Sequence, residues 1–187
     1  MITIDPGSGW IDGAKRVLSP HRDARPAGTA LSLIVVHGIS LPPGCFGGPW
    51  IDEFFSNRLP RTAHPYFETI CELAVSAHAL IARDGAVTQY VSFVERAWHA
   101  GESSHRGRTR CNDFSVGIEL EGTDDIPYER IQYEVLGDLI SALRRAYASL
   151  REAEIVGHSD IAPLRKTDPG PGFDWALLTR LLNGTEC

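Results

Sequence analysis

Hydrophobic and polar positions alternate along the chain in patterns that predict strands. Residues 31–36 form a short, β-branched and almost wholly apolar run, which is typical of a strand buried on both faces. Residues 75–83 and 86–91 flank Asp84-Gly85, a dipeptide that favours a type I′ hairpin turn. From 114 to 122, apolar side chains alternate with small or acidic ones, which predicts a strand whose two faces differ in polarity.

A helical period replaces this alternation later in the chain. Between residues 127 and 150, apolar side chains recur three and four positions apart, the stripe of an amphipathic helix, and Pro127 suits its first turn. Residues 154–156 predict a short strand. Asp174 precedes residues 175–182 and is a typical N-cap, so we expect a terminal helix there.

These elements together predict one domain of the α/β class, with a mixed central β-sheet flanked by helices. The chain of 187 residues has the length of one ordinary domain, which we expect to span residues 1–187 with its core at about 9–182. A content of 43% hydrophobic and 22% charged residues is that of a folded globular protein.

Charge and hydropathy narrow the range of partners. The net charge is −6, from 18 basic and 24 acidic side chains, and no basic patch stands out, so nucleic acid is not an expected partner. No apolar run approaches the ~20 residues of a membrane-spanning helix, so we expect no membrane partner either. We expect the protein to be a monomer.

The N-terminus and the cysteines indicate the cellular compartment. The first residues show neither the basic nor the apolar region of a signal peptide. The four cysteines, Cys45, Cys71, Cys111 and Cys187, are widely spaced and form no CxxC pair, which argues against a zinc finger or a thioredoxin motif. We therefore expect a cytoplasmic protein with reduced thiols.

Two of the seven histidines follow predicted strands. His37 comes directly after the first strand and His158 after the strand near residue 155, and strand ends are where α/β sheets form ligand sites. Asp168 follows shortly and is stiffened by Pro169. Two imidazoles and a carboxylate are the ligand set of a catalytic zinc. Spacing alone leaves open that these are two core histidines and a turn carboxylate, since no compact HExxH signature joins them.

A series of motifs follows in order along the chain: LIVVH at 33–37, VSAH at 75–78, AWHAG at 97–101, NDFSVGIE at 112–119, GHSDIAP at 157–163 and RKTDPGP at 165–171. Together they resemble the zinc N-acetylmuramoyl-L-alanine amidases, a family that shares its fold with the peptidoglycan recognition proteins. The likeness covers about Gly9 to Trp175. It is greatest for the cytoplasmic members that act on anhydromuramyl peptides.

The resemblance implies a metal site and a reaction. It implies that His37, His158 and Asp168 bind one zinc ion per chain. The implied substrate is a muropeptide, and the implied reaction is hydrolysis of the amide between the lactyl group of 1,6-anhydro-N-acetylmuramic acid and L-alanine of the stem peptide. Such a reaction belongs to cytoplasmic peptidoglycan recycling.

Glu119 is the predicted proton acceptor. It shares a strand face with the small residues Ser115 and Gly117, which leaves room for a ligand beside its carboxylate. Near a metal, a carboxylate can take a proton from the attacking water and return it to the leaving amine. The alternative is a solvent-facing glutamate. Glu121 lies on the same face, so the pattern cannot choose between the two, and the resemblance favours Glu119.

Four further side chains have predicted roles at the site. Lys166 lies two residues before Asp168, so in an extended segment both would point the same way, and the lysine would stabilise a developing oxyanion. Tyr66 matches a tyrosine that the family has near the metal. Trp98 could pack on a sugar ring or a peptide stem, and Arg110 could pair with a substrate carboxylate. The alternatives are a surface lysine and arginine and two aromatic side chains that serve packing.

The remaining histidines divide into two groups. His78 and His99 lie in the matching motifs, and we expect them to hold the site through hydrogen bonds rather than to bind the metal. His21, His64 and His105 have no supporting context.

Two positions depart from the family pattern. Gly38 stands where asparagine is frequent, and Ala74 stands where arginine is usual. Neither is a predicted metal ligand, but both bear on how the peptide stem is held. Two other functions also stay open: a non-catalytic module of the same fold that binds peptidoglycan fragments, and a zinc hydrolase of another amide. The presence of all three ligand types favours the enzyme.

Overall fold

The secondary structure of residues 1–184, which the computed structural model describes, contains twelve strands and five α-helices. The strands are β1 Ile4–Asp5, β2 Trp10–Ile11, β3 Lys15–Arg16, β4 Arg22–Ala24, β5 Leu33–Ile39, β6 Ala79–Ile81, β7 Val87–Gln89, β8 Glu95–Ala97, β9 Ser104–His105, β10 Arg108–Thr109, β11 Ser115–Glu121 and β12 Glu154–Gly157. The helices are α1 Trp50–Phe55, α2 Phe67–Ile70, α3 Arg130–Ala146, α4 His158–Ile161 and α5 Trp175–Leu182.

A mixed six-stranded sheet forms the centre, in the order β12-β5-β11-β6-β7-β3. Strands β12, β5, β11 and β6 are parallel to one another, and β7 is antiparallel to β6. All seven residues of β11 are buried because this strand lies between two neighbours and is covered on both faces. The predicted fold class, an α/β domain around a mixed sheet, is confirmed.

The two faces of the sheet carry separate cores. On one face, α3 and α5 pack on apolar side chains of β5 and β11 such as Val36 and Ile118. On the other, Phe54 and Phe55 of α1 and Phe67 of α2 pack around Leu80 and Tyr90. Successive side chains of a strand point to opposite faces of the sheet. His37 follows Val36 and Glu119 follows Ile118, so both point to the face away from α3.

The structure corrects details of the predicted strands. Strand β5 continues through His37 to Ile39, because its ladder with β11 extends that far. The predicted hairpin exists, with shorter strands, but its turn is not type I′. That turn needs positive φ at both central residues, whereas of Asp84 and Gly85 only Gly85 has it, at 85°.

The long helix begins later than predicted. It starts at Arg130, and Pro127 lies outside it. The backbone N–H of Glu129 donates to Oε1 of Gln132 at 3.0 Å, and this satisfied donor marks the helix start. Ile131, expected in the apolar stripe, is exposed. The terminal helix has the predicted bounds, and Asp174 caps it by accepting the N–H of Leu177 at 2.8 Å.

The predictions about cysteines and membranes meet the structure only in part. Cys45 is exposed, Cys71 is partly buried and Cys111 is buried, and all three are free thiols. Cys187 lies outside the described residues. Within residues 1–184, no helix is long and apolar enough to cross a membrane.

Candidate active site

Three neighbouring parallel strands bring the candidate residues to one edge of the sheet. His37 on β5 lies directly opposite Glu119 on β11 in the strand register. Strand β12 pairs with the other side of β5 and ends at Gly157, so His158 follows it as the first residue of α4. The candidate side chains therefore gather near the ends of these strands, although His37 lies within its strand rather than after it.

His37, His158 and Asp168 converge as a group that could hold a metal ion. The two Nδ1 atoms of the histidines are 3.0 Å apart, and each lies 3.2 Å from Oδ2 of Asp168. The backbone also holds the carboxylate in place, since the N–H of Ser159 donates to the carbonyl oxygen of Asp168 at 3.0 Å. The three donor atoms thus form a nearly equilateral triangle.

The size and chemistry of this triangle fit zinc. A tetrahedral zinc with bonds of about 2.0–2.2 Å places its ligands about 3.3–3.6 Å apart, so separations of 3.0–3.2 Å need only a small outward shift. Nε2 of His158 lies 3.4 Å from the carbonyl oxygen of Ala100. A carbonyl only accepts, so this contact favours a proton on Nε2, which leaves Nδ1 with the free electron pair that a metal needs.

The electrostatics leave His37 and Asp168 in the protonation states that a metal requires. Burial lowers the pKa of His37 to about 4, so its imidazole is neutral at neutral pH. Burial alone would raise the pKa of Asp168, but the contacts with His158 and His37 outweigh it and hold that pKa below its usual value. A neutral imidazole and an ionised carboxylate are the forms that bind metal.

A cavity of about 560 Å³ opens in front of the triangle. Glu119, Lys166 and Tyr66 line it together with the three candidate ligands. The concave shape, the candidate metal group and several convergent polar side chains make this cavity the candidate active site.

The structure separates Glu119 from Glu121, which the sequence pattern could not. Both are buried, at 8% and 4% exposure, so the solvent-facing alternative is wrong. Glu121 uses both of its carboxylate oxygens, accepting the backbone N–H groups of Gly47 and Arg83. Oε2 of Glu119 is buried without a hydrogen-bond partner among the described residues. Of the two glutamates, only Glu119 lines the cavity, with Oε2 available for a proton.

The surroundings of Glu119 favour its protonated form in the absence of metal. Burial raises the pKa of Glu119 well above its usual value, the negative charge of Asp168 adds to this effect, and Lys166 opposes it. A carboxyl group whose pKa is raised toward neutral pH is suited to accept a proton and give it back.

Lys166 reaches the cavity from the segment that follows a turn. Residues 163–165 form a turn, the N–H of Lys166 donates to the carbonyl oxygen of Ala162 at 3.0 Å, and residues 166 and 167 belong to neither a helix nor a strand. Lys166 and Asp168 nevertheless line the same cavity. The two side chains therefore reach the same cavity, and the catalytic role of Lys166 stays a prediction.

The three predicted substrate-binding residues do not all reach the cavity. Tyr66 lines it and is 39% exposed. Trp98 is half-buried, with its ring centroid 5.7 Å from that of His21, and Arg110 is exposed beside Asp113, 3.4 Å away. Neither Trp98 nor Arg110 is part of the cavity lining, and their binding roles stay predictions.

The two supporting histidines differ in how close they come to the candidate ligands. Nδ1 of His99 lies 2.9 Å from Nε2 of His37, whereas His78 accepts the N–H of Gly117 at 3.0 Å and faces Arg25. Burial, with the positive charge of Arg25 adding, keeps the pKa of His78 well below its usual value. Burial and the neighbouring His37 do the same for His99.

Arg25 is the structural residue that sequence reasoning missed. It is largely buried, and its guanidinium donates to the carbonyl oxygens of Asn112, Asp113 and Ser115 at 2.9–3.1 Å. These bonds tie the segment before β11 to the N-terminal part of the chain. No periodicity marks an isolated arginine in a segment rich in proline and charge, so the sequence carries no signal for this role.

Comparison with known proteins agrees with this geometry. Residues 27–171 match the family described as N-acetylmuramoyl-L-alanine amidase. A relative from Escherichia coli (strain K12), the 1,6-anhydro-N-acetylmuramyl-L-alanine amidase AmpD, is 57% identical over 175 residues, which make up 94% of this chain and 95% of the relative.

Solved structures show the same similarity. A crystal structure of a selenomethionine AmpD derivative superposes with a TM-score of 0.91 at 55% identity, covering 96% of this chain and 98% of that one. The amidase AmiD from E. coli, in complex with the substrate anhydro-N-acetylmuramic acid-L-Ala-D-γ-Glu-L-Lys, superposes with a TM-score of 0.56 at 28% identity. That match covers 96% of this chain and 65% of AmiD.

Proposed function

The chain belongs to the N-acetylmuramoyl-L-alanine amidase family, and on that premise we propose how it acts as a 1,6-anhydro-N-acetylmuramyl-L-alanine amidase. The reaction is hydrolysis of the amide between the lactyl group of 1,6-anhydro-N-acetylmuramic acid and L-alanine of the stem peptide. The observation that carries the proposal is the triangle of His37, His158 and Asp168 on the wall of a cavity that Glu119 and Lys166 also line.

His37, His158 and Asp168 would hold one zinc ion per chain. Bound zinc supplies a Lewis acid that polarises a carbonyl oxygen and makes water more acidic. The imidazole of His37 and the carboxylate of Asp168 already have the required protonation states, as their pKa shifts indicate. Metal binding would therefore need little free energy for deprotonating or rearranging these groups.

Glu119 accepts the proton of the attacking water and delivers it to the departing alanine nitrogen. Its unpartnered Oε2 is buried at the cavity wall, so the carboxylate has no competing hydrogen bond to break before it takes the proton. Its raised pKa lets the same group return that proton.

Lys166 stabilises the negative charge that develops on the attacked carbonyl oxygen. Its position beside Asp168 in the cavity lining supports this role. Tyr66 contacts the substrate at the rim of the cavity. Trp98 and Arg110, which lie outside the lining, would meet only parts of the muropeptide that extend beyond it.

A binding module without catalysis is not favoured. A buried carboxylate oxygen without a hydrogen-bond partner lowers stability. In a module that only binds, nothing would compensate for this loss at Glu119, which lies beside three candidate metal ligands. We place the protein in the cytoplasm as a monomer, acting on muropeptides released by cell-wall turnover.

The test is product analysis by mass spectrometry after incubation with 1,6-anhydro-N-acetylmuramyl tripeptide. We expect the free tripeptide and anhydro-N-acetylmuramic acid, no reaction after removal of zinc with a chelator, and recovery when zinc is restored. An N-acetylated tripeptide without the muramyl group is the matched control substrate. Its equal turnover would point to a hydrolase of another amide, and turnover unaffected by the chelator would contradict the metal site.

A further inference from the structure

We propose that Ser115 is a positioning residue that determines, through His99, which ring nitrogen of His37 carries the proton. The proposal rests on the metal site proposed above, since its consequence is that the bare nitrogen of His37 faces His158 and Asp168. The contacts form a hydrogen-bond series that runs from the carbonyl oxygen of Cys111 through Ser115 and His99 to His37.

The donor and acceptor roles in this hydrogen-bond series are determined at its Cys111 end. Oγ of Ser115 lies 2.6 Å from the carbonyl oxygen of Cys111 and 3.0 Å from Nε2 of His99. A carbonyl oxygen can only accept, and a hydroxyl has a single proton, so Ser115 donates to Cys111. Ser115 must then accept from His99, which places the proton of His99 on Nε2.

His99 passes this choice to His37. Its ring is buried against the rings of His37 and His78, with Ser115 as its other side-chain partner, and no carboxylate of residues 1–184 forms a hydrogen bond with it that would stabilise a second proton. A neutral imidazole has one N–H, and with that proton on Nε2 the Nδ1 atom is an acceptor. The 2.9 Å contact between Nδ1 of His99 and Nε2 of His37 therefore needs a proton on Nε2 of His37.

The hydrogen-bond series matters because the other tautomer of His37 would also find an acceptor. A proton on Nδ1 of His37 would face Oδ2 of Asp168 at 3.2 Å and form a hydrogen bond inside the ligand triangle. The site would then be closed by its own ligands. Acceptance by His99 favours the other tautomer, which leaves the Nδ1 atoms of His37 and His158 bare at 3.0 Å from each other.

The residues of and before β11 position His99 within this hydrogen-bond series. A side chain on Gly117 would put its Cβ 2.4 Å from the ring of His99, so the ring lies where only glycine leaves space. The backbone N–H of His99 donates to Oδ1 of Asn112 at 3.0 Å, which holds the backbone that carries the ring. The small residues at 115 and 117 thus serve His99, in addition to leaving room near Glu119.

The first test uses the wild-type protein, with zinc and after removal of zinc by a chelator, and reads the histidine tautomers from long-range ¹⁵N–¹H NMR spectra. We expect His99 and His37 to carry their protons on Nε2 in both forms. A proton on Nδ1 of His99 in the wild-type protein would overturn the proposal, whatever the behaviour of any variant.

The second test measures zinc affinity by competition with a chelator. Ser115→Ala should bind zinc about 10–100-fold more weakly, the usual range for groups that orient a metal-ligating histidine, and His37 of its zinc-free form should show a mixture of tautomers. The control is Ser92→Ala, which removes an equally buried hydroxyl that donates to the carbonyl oxygen of Ser8 at 2.6 Å, and it should keep wild-type affinity.

The outcomes separate this proposal from the proposed function. Zinc binding by Ser115→Ala with wild-type affinity and unchanged histidine signals would overturn the positioning role alone. Equal weakening in Ser92→Ala would also overturn it, because the effect would then be a general loss of stability. Failure of the wild-type protein to bind zinc would instead overturn the metal site.

Discussion

Glu119 and Glu121 lie on the same face of β11 and are both buried, yet their surroundings are opposite. Glu121 is held by two backbone N–H groups, and through Gly47 it anchors the glycine-rich loop that follows β5. Glu119 has an oxygen without a hydrogen-bond partner, and it faces the cavity. A buried carboxylate whose oxygens all accept hydrogen bonds stabilises the fold. One that lacks a partner lowers the stability of the fold, and a catalytic role explains why it is there.

The largest effect should come from removing a candidate ligand on the Glu119 side. His37→Ala or His158→Ala should abolish zinc binding and reduce turnover to the background rate, because two ligands no longer define a site. Metal analysis and an amidase assay check this. His105→Ala, which removes a histidine that pairs with Glu154 outside the cavity, is the control and should retain both properties.

A smaller but still large effect should separate the two glutamates in catalysis. Glu119→Gln should lower kcat by at least ~10²-fold while zinc stays bound, since the variant loses its proton acceptor and keeps its shape. Glu121→Gln should lose far less turnover. If steady-state kinetics showed the reverse order, the proton acceptor would be Glu121.

The same pair of variants should have opposite effects on stability. Glu121→Gln turns an amide N–H group toward a backbone donor, so we expect the free energy of unfolding to fall by about 1–3 kcal/mol. Glu119→Gln should stabilise the zinc-free protein at pH 7, because it removes a buried carboxyl whose pKa is raised by folding. Urea unfolding in the presence of a chelator measures both changes.

The pH dependence gives the sign of the Glu119 effect. A carboxyl with a higher pKa in the folded state binds more protons there, so stability falls as pH rises from the unfolded pKa toward the folded one. The advantage of Glu119→Gln over wild type should therefore be absent in acid and grow toward neutral pH. An advantage that is constant over this range would mean that the carboxyl is not desolvated.

The smallest effect concerns the anchored loop on the Glu121 side. The guanidinium of Arg83 lies 4.7 Å from the ring centroid of Phe46, so Phe46→Leu should cost about 0.5–1 kcal/mol through loss of the cation–π contact. Amide exchange at Gly47 should become faster, with turnover nearly unchanged. Unaltered exchange would show that Glu121 alone holds the loop.

The sequence was sufficient for the fold class, and the structure brings six of the eight candidate site residues to one cavity, with Trp98 and Arg110 outside its lining. Alternation of apolar and polar side chains predicted β11, and the N-cap residue Asp174 predicted the terminal helix. The motifs carried the choice of His37, His158 and Asp168. The structure adds their convergence, which depends on long-range strand order that no local pattern contains.

Other features could not be predicted because they depend on partners distant in the chain. The choice between Glu119 and Glu121 follows from the donors Gly47 and Arg83, which lie far from β11 in sequence. At the start of α3, Oε1 of Gln132 accepts the N–H of Glu129, and its Nε2 donates to the carbonyl oxygens of Ile81 and Glu121, which lie outside the helix. Local propensity ranks such alternatives, and tertiary contacts decide them.

The parallel order of the sheet has a consequence for the timing of biosynthesis. His37 and His158 are neighbours in space, although 121 positions separate them along the chain, and Asp168 lies later still. The N-terminal strands can therefore leave the ribosome and begin to pair long before the ligand triangle exists. A product terminated ahead of residue 168 would contain most of the sheet, including Glu119, and would still be inert.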